Sequence, residues 1–274
     1  MKVRRIAGAI GAEISGVDLR RRLSDADAAE LRGHLLAHQV IFLREQDLNP
    51  DQFFSFAQAM GEPMEYPFVQ GLPGHPMIIE VKKLEHETVN FGGVWHSDTT
   101  YLEEPPLGSM LLAREVPPYG GDTLFASQYQ AYETLSAEMK RIIDPLVGIS
   151  SSAKADVSRT REDRIRSAGK EDGRREYRAE HPMVRTHPET GRKALFVNTA
   201  HTIGIRGLRD EESAPLLRFL FEHQVKPEFT CRWTWQPNDL ALWDNRCAQH
   251  NPVNDYHGFR RVMHRITLRG DRPR

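Results

Sequence analysis

The chain has 274 residues, with 37 Lys and Arg against 38 Asp and Glu, for a net charge of −1. An apolar fraction of 39% beside 27% charged residues describes a globular chain, not a disordered one. The charge balance excludes a general nucleic-acid binder, no apolar run reaches the ~18–20 residues of a membrane span, and the opening Met-Lys-Val-Arg-Arg-Ile has no signal-peptide core. Cys231 and Cys247 are too few for a disulfide framework or a Cys-rich zinc site, so the expected compartment is the cytoplasm. The length, with no visible linker or repeat, predicts one domain over 1–274.

The N-terminal part alternates strand and helix signals. Ser24 offers an N-cap, with Asp27 three residues on, for a helix running to about His38. Val40–Leu43 reads as a short buried strand. Asn49 caps a second helix with Pro50 in its first turn and Gly61 after its end. Phe53, Phe54, Phe56 and Ala57 fall at helical spacing and read as core. From Pro63 onward, short apolar runs alternate with Gly and Pro turns: Met77–Val81, Gly108–Ala113, Thr123–Phe125, Ala194–Val197, Phe229–Trp235, Leu240–Trp243 and Val262–Leu268. Such spacing predicts a sandwich or barrel, interrupted by helices near Ser127–Leu146 and Glu211–Gln224. Residues 150–180 carry both charge signs and few apolar groups. They read either as a solvated helix or mobile loop, or as an active-site lid.

Among twelve histidines, His34, His38, His75, His86, His181, His187, His223 and His257 read as surface or hydrogen-bonded residues. His96 and Asp98 differ. In Trp95-His96-Ser97-Asp98 they stand two apart, which in an extended segment turns both to one side as paired ligands of a cation. His250, after the Leu240–Trp243 strand and a polar turn, is the best third ligand. Two histidines and one carboxylate make the facial triad of non-haem Fe(II) oxygenases, with positions open for a co-substrate and O2. The ligand types alone also admit zinc, though no H-E-x-x-H or Cys cluster supports it. Arg261 and Arg265 share one face of a strand, and burying them there calls for anions. Arg suits carboxylate or sulfonate recognition. Gly120-Gly121-Asp122-Thr123 places a hydroxyl at a strand start as another anion contact. His264 faces the opposite side of the strand and reads as structural.

Taken together, these segments resemble the Fe(II)/2-oxoglutarate-dependent dioxygenases of the TauD/TfdA family. The resemblance runs from Gly11-Ala-Glu-Ile-Ser-Gly-Val-Asp-Leu19 through Trp95–Asp98 and Gly120–Thr123 to Trp235-Gln-Pro-Asn-Asp-Leu-Ala-Leu-Trp-Asp-Asn-Arg246, His250, Arg261 and Arg265. It implies a mainly β fold with flanking helices, a double-stranded β-helix (jelly roll), and a dimer or tetramer. His96, Asp98 and His250 would hold Fe(II). Thr123 and Arg261 would bind the distal carboxylate of 2-oxoglutarate, and Arg265 would touch the co-substrate and neutralise an anionic primary substrate. The reaction implied couples oxidative decarboxylation of 2-oxoglutarate to hydroxylation of an unactivated C–H.

The resemblance departs in the primary-substrate pocket, for which Tyr66, Gly92, Thr99, His201 and Arg265 are the candidates. Taurine-specific members carry a histidine three residues before the tyrosine matching Tyr66; here that position is Pro63. An asparagine four residues before the first ligand is replaced by Gly92. An aromatic position matches His201, which reads equally as a packed histidine. The lid aromatic falls near Ala155. Lost donors and smaller residues predict an anion larger than taurine: a longer sulfonate, an alkyl sulfate or an aryloxyalkanoate. Two other classes compete: a metal-binding jelly roll acting as sensor or carrier, and a zinc hydrolase.

Overall fold

The structure is a computed structural model that describes residues 1–66, 69–90, 92–153 and 176–274. In chain order it runs β1 (Lys2–Arg5), β2 (Ala12–Ser15), α1 (Asp25–His38), β3 (Val40–Leu43) and α2 (Pro50–Met60). Then come β4 (Pro63–Met64), β5 (Gly71–Leu72), β6 (His75–Lys83), β7 (Gly108–Glu115) and β8 (Thr123–Ser127). Helices α3 (Gln128–Glu133) and α4 (Ala137–Ile143) precede β9 (Val147–Ser151), β10 (Arg178–Pro182), β11 (Val184–Thr186), β12 (Lys193–Leu195) and β13 (Thr202–Ile205). The chain finishes with α5 (Asp210–His223), β14 (Thr230–Trp233), β15 (Leu240–Asp244), β16 (Ala248–Pro252) and β17 (Arg261–Leu268). No described helix is long and apolar enough to cross a membrane.

The caps expected from sequence form as read. Ser24 Oγ accepts from Asp27 N at 3.1 Å, and Asn49 and Gln52 satisfy each other's backbone N–H groups at 2.9 Å. The long helix expected over Ser127–Leu146 is instead two. Ser136 is extended, and its hydroxyl accepts from Met139 N at 3.2 Å, so the chain leaves α3 and is capped afresh into α4. Phe229 belongs to a 3-10 turn before β14, and the strand expected over Ala194–Val197 ends at Leu195. The segment 150–180 begins and ends as strand, with Ser150 and Ser151 paired to Ala179 and Arg178. Residues 154–175, including Ala155, lie outside the described residues, and with them the lid reading.

Two facing sheets make the double-stranded β-helix. The larger follows the order β1-β2-β3-β15-β7-β17-β6-β5, with β4 added against β17; the smaller is β14-β8-β16. Side-chain alternation along the central strands divides the core in two. Ile41, Leu43, Leu240, Leu242, Ile266 and Leu268 face α1 and α2, where Leu31, Leu35, Phe53, Phe56 and Ala57 meet them. The intervening residues Val40, Phe42, Ala241, Trp243 and Met263 face the smaller sheet and meet Phe125, Trp233 and Ala248. By the same parity Arg261 and Arg265 project between the sheets, while His264 lies on the helix side.

Phe42 joins the two sheets. It stacks on Trp233 at 4.2 Å between centroids and meets Phe125 edge-on at 5.4 Å. Removing a fully buried aromatic ring costs about 3–5 kcal/mol. Phe42→Ala should lose stability in that range in urea unfolding; a loss under about 1 kcal/mol would show that this stack does not hold the sheets together.

Candidate active site

His96 and Asp98 lie in the connection between β6 and β7. A backbone bridge fixes them: His96 N donates to His250 O at 3.0 Å, and His250 N donates to His96 O at 2.8 Å. β16 is in turn registered on β8, with His250 opposite Phe125. Ser97 turns the other way and donates to Ala248 O at 2.9 Å. The two histidines and the aspartate thus converge from segments about 150 residues apart in sequence. His96 Nε2 is 3.7 Å and His250 Nε2 is 3.9 Å from Asp98 Oδ1.

The electrostatics suit a divalent cation. His96 Nδ1 donates to Val94 O at 2.7 Å, which leaves the Nε2 lone pair facing the centre. Burial pushes the pKa of His96 down and that of His250 well down, so both imidazoles stay neutral. Burial alone would raise the Asp98 pKa. The Arg265 guanidinium, the two histidines and the Ser109 hydroxyl outweigh it and hold the carboxyl well below its usual range. Asp98 Oδ2 accepts from Ser109 Oγ at 2.8 Å, Asn245 Nδ2 at 3.0 Å and Arg265 Nη2 at 2.8 Å. One oxygen is therefore engaged and the other is turned to the histidines. Two neutral imidazoles and a carboxylate are the donor set of a facial-triad iron site.

Beside this centre stands an uncompensated cation. Arg261 is 5% exposed, and its Nε and Nη2 have no hydrogen-bond partner among the described residues. Burial presses on its charge, offset only in part by Tyr256 and by Asp122, whose Oδ2 is engaged by Arg232 and Thr234 while its Oδ1 has no partner among the described residues. Thr123 Oγ1 accepts from Trp235 Nε1 at 3.0 Å, which turns its own hydrogen elsewhere. Thr123, Arg261 and Arg265 line one pocket with His96 and His250. The preceding glycines close the loop over it. Gly121 has φ +68°, and a Cβ there would come within 3.3 Å of both the Arg261 stem and the Tyr256 ring. An oxyacid with two carboxylate groups matches this pairing of cation centre and unanswered guanidinium.

The remaining candidates fall around the same centre, with differences. Arg265 Nη2 is already held by Asp98 and by Ser109 Oγ at 3.1 Å, while its Nε has no partner among the described residues. Its Cζ lies 5.3 Å from the Tyr66 ring, which packs with Ile79 and Tyr101. Thr99 is buried with φ +40°, an uncommon conformation for a β-branched residue, directly after Asp98. The His201 ring is 6.0 Å from that of His96 and 4.9 Å from Tyr101, and its Nδ1 is 3.0 Å from Thr100 Oγ1. Gly92 corrects an expectation: a Cβ there would sit 2.9 Å from His96 Cε1, so glycine at this position opens no room for a larger substrate. The His96 ring fills that space. Pro63 pairs with Leu268.

Sequence reading missed Ser109 and Asn245; neither residue type signals a site alone, and Asn245 appeared only within a quoted motif. A second cluster, His187, Asp244 and Cys247, also has ligand-like spacing. Its atoms are engaged otherwise. His187 Nδ1 accepts from Glu189 N and Thr190 N, its Nε2 donates to Asp244, and Arg246 binds both Asp244 oxygens. It is an internal ion network.

The depressed histidine pKa values carry a signed prediction. Two ordinary imidazoles of pKa ~6.5 would each lose about tenfold in neutral fraction between pH 7.5 and 5.5, ~100-fold together. Here the neutral form persists to lower pH, so Co(II) affinity should fall less than about tenfold over that interval. A ~100-fold fall in a Co(II) titration would mean that both histidines titrate normally.

Comparison with known proteins agrees with this geometry. The family model "Taurine catabolism dioxygenase TauD, TfdA family" matches residues 2–267. An alkylsulfatase of Acinetobacter baylyi is 34% identical over 99% of this chain and 86% of its own. An alpha-ketoglutarate-dependent sulfate ester dioxygenase of Pseudomonas putida is 34% identical over 100% of this chain and 91% of its own. The crystal structure of a taurine dioxygenase from Burkholderia xenovorans superposes with a TM-score of 0.84 at 35% identity, covering 99% of this chain and 92% of that one. With the match spanning both sheets and every segment that lines the centre, the chain belongs to the TauD/TfdA dioxygenase family.

Proposed function

We propose that the protein is an Fe(II)- and 2-oxoglutarate-dependent dioxygenase that hydroxylates a small anionic organic substrate: a sulfonate, an alkyl sulfate or an aryloxyalkanoate, rather than taurine. The observation that carries this reading is the buried Arg261, without an ion-pair partner among the described residues, in the same pocket as His96 and His250. A metal carrier or a zinc hydrolase gives that charge no role. The two relatives named for sulfate esters favour alkyl sulfates within this group.

The residues divide the work as follows. His96 Nε2, Asp98 Oδ1 and His250 Nε2 would hold Fe(II), with the Asp98 orientation kept by Ser109, Asn245 and Arg265. Arg261 and the Thr123 hydroxyl would bind the distal carboxylate of 2-oxoglutarate. Arg265 would use its Nε to meet the anionic head of the substrate while Nη2 stays on Asp98. Tyr66, Thr99 and His201, all buried, would wall the substrate and help exclude water from the reacting carbon. Fe(II) with 2-oxoglutarate and O2 supplies the oxidant that hydroxylates the C–H bond, yielding succinate and CO2. Hydroxylation at the carbon bearing a sulfate ester gives a product that collapses to an aldehyde and sulfate. The reading extends to a cytoplasmic single-domain enzyme assembled as a dimer or tetramer, which light scattering of the purified protein checks for mass.

Succinate release by the Fe(II)-loaded protein with 2-oxoglutarate and O2 tests the substrate class. An alkyl sulfate or longer sulfonate should stimulate release at least ~10-fold more than taurine, the discrimination expected when one buried polar contact is lost. Taurine as the best substrate would overturn the substrate assignment. Metal-dependent sulfate release without 2-oxoglutarate would overturn the dioxygenase reading.

A further inference from the structure

We infer that Asn245 is a positioning residue for the metal-ligand carboxylate: of the three donors that hold Asp98 Oδ2 it is the one that also accepts from the Asp98 backbone, and it thereby keeps Oδ1 toward the two histidines. The inference rests on the metal-centre reading above. The motif Trp243-Asp244-Asn245-Arg246 has two sides. Trp243 and Asn245 face the centre, while Asp244 and Arg246 form the ion network on the other side. Trp243 Nε1 donates to Asn245 Oδ1 at 3.0 Å, and Asp98 N donates to the same oxygen at 3.2 Å. An indole N–H and a backbone N–H can only donate, so the amide oxygen must face them. That fixes the amide the other way round as well: Nδ2 donates to Asp98 Oδ2 at 3.0 Å. Asn245 thereby grips both the backbone and the side chain of the ligand residue.

The support is rigid. Asn245 N donates to Leu107 O at 2.9 Å, and Asp244 N donates to Gln39 O at 2.9 Å. Asp244 receives Arg246 N, Nε and Nη2 at 2.9, 2.8 and 2.6 Å, and Arg246 Nη1 reaches Glu189 at 2.7 Å. Both Asp244 and Asn245 are at most 2% exposed. The backbone bonds to Leu107 and Gln39 hold the turn, and Trp243 Nε1 and Asp98 N hold the amide; the Arg246 network packs behind them. Hydrogen bonds behind a metal ligand set its orientation, and their loss typically costs ~10–100-fold in metal affinity.

The test uses Co(II) binding to the metal-free full chain, followed by its visible absorption, with thermal unfolding measured alongside. Asn245→Ala should bind Co(II) ~10–100-fold more weakly. Arg246→Gln, a change on the outer side of the same turn, should lower Tm at least as far yet keep Co(II) affinity within about threefold, short of that ~10–100-fold loss. Asn245→Asp keeps the shape and both acceptor bonds but removes the N–H aimed at Asp98; its Co(II) absorption bands should differ from wild type. If Asn245→Ala does not fold, this second variant decides. Wild-type affinity and wild-type bands in whichever Asn245 variants fold would overturn the inference, as would affinity losses that merely track Tm in both Asn245→Ala and Arg246→Gln. Failure of the wild-type chain to bind Co(II) would instead sink the metal-centre reading.

Discussion

A guanidinium enclosed by protein must be answered by negative charge, and at Arg261 the described fold places none within hydrogen-bonding reach. Three other arginines are buried as deeply and make the contrast; one of them, Arg265, is paired with Asp98. Arg246 is bound by Asp244 and Glu189, and Arg185 reaches Asp271 at 3.1 Å. Arg261 has instead an indole ring 5.8 Å away, a threonine hydroxyl on the facing strand, and a pocket shared with His96 and His250. A fold that tolerates this arrangement carries a cost that a bound oxyacid would remove.

The rest of the architecture serves to keep that charge and the donor set on the same side. Strand parity on β17 sends Arg261 and Arg265 between the sheets, while His264 and Ile266 go to the helices. Register carries the geometry further. Arg265 lies opposite Leu111 of β7, and Ser109 on the same strand donates to Asp98. The reciprocal bridge between His96 and His250 joins the 96–98 segment to the smaller sheet. Packing such as Phe42 on Trp233 then holds the two sheets at the spacing the centre needs. Stability and site are thus consequences of one alternation pattern.

Much of this was legible in the chain because the signals are local. H-x-D in an extended segment, Arg four residues from Arg on a strand, and capping residues before apolar periodicity all follow from the spacing of side chains along one element. What was not legible depends on contacts between elements. The break between α3 and α4 turns on the Ser136 cap prevailing over helix propensity. Gly92 reads as empty space until the His96 ring is seen beside it. Ser109 and Asn245 carry no chemical signature; only their convergence on Asp98 Oδ2, from β7 and from the turn after β15, gives them a role. The His187, Asp244 and Cys247 cluster errs in the other direction, since its ligand-like spacing is used up by Arg246 and backbone N–H groups.

The most direct measurement is thermal unfolding of wild type and Arg261→Met, each without ligand and with saturating 2-oxoglutarate and Mn(II). If Arg261 is held for an oxyacid, the variant without ligand is at least as stable as wild type, because a buried unanswered charge has become an apolar chain of similar length, a kind of exchange that can stabilise by about 1–4 kcal/mol. The same variant then loses most of the stabilisation that 2-oxoglutarate gives wild type, which for ligand at 100 times its Kd amounts to about 2.7 kcal/mol. A variant that is clearly less stable without ligand and still gains the full shift from 2-oxoglutarate would show that Arg261 is structural and that the co-substrate binds elsewhere.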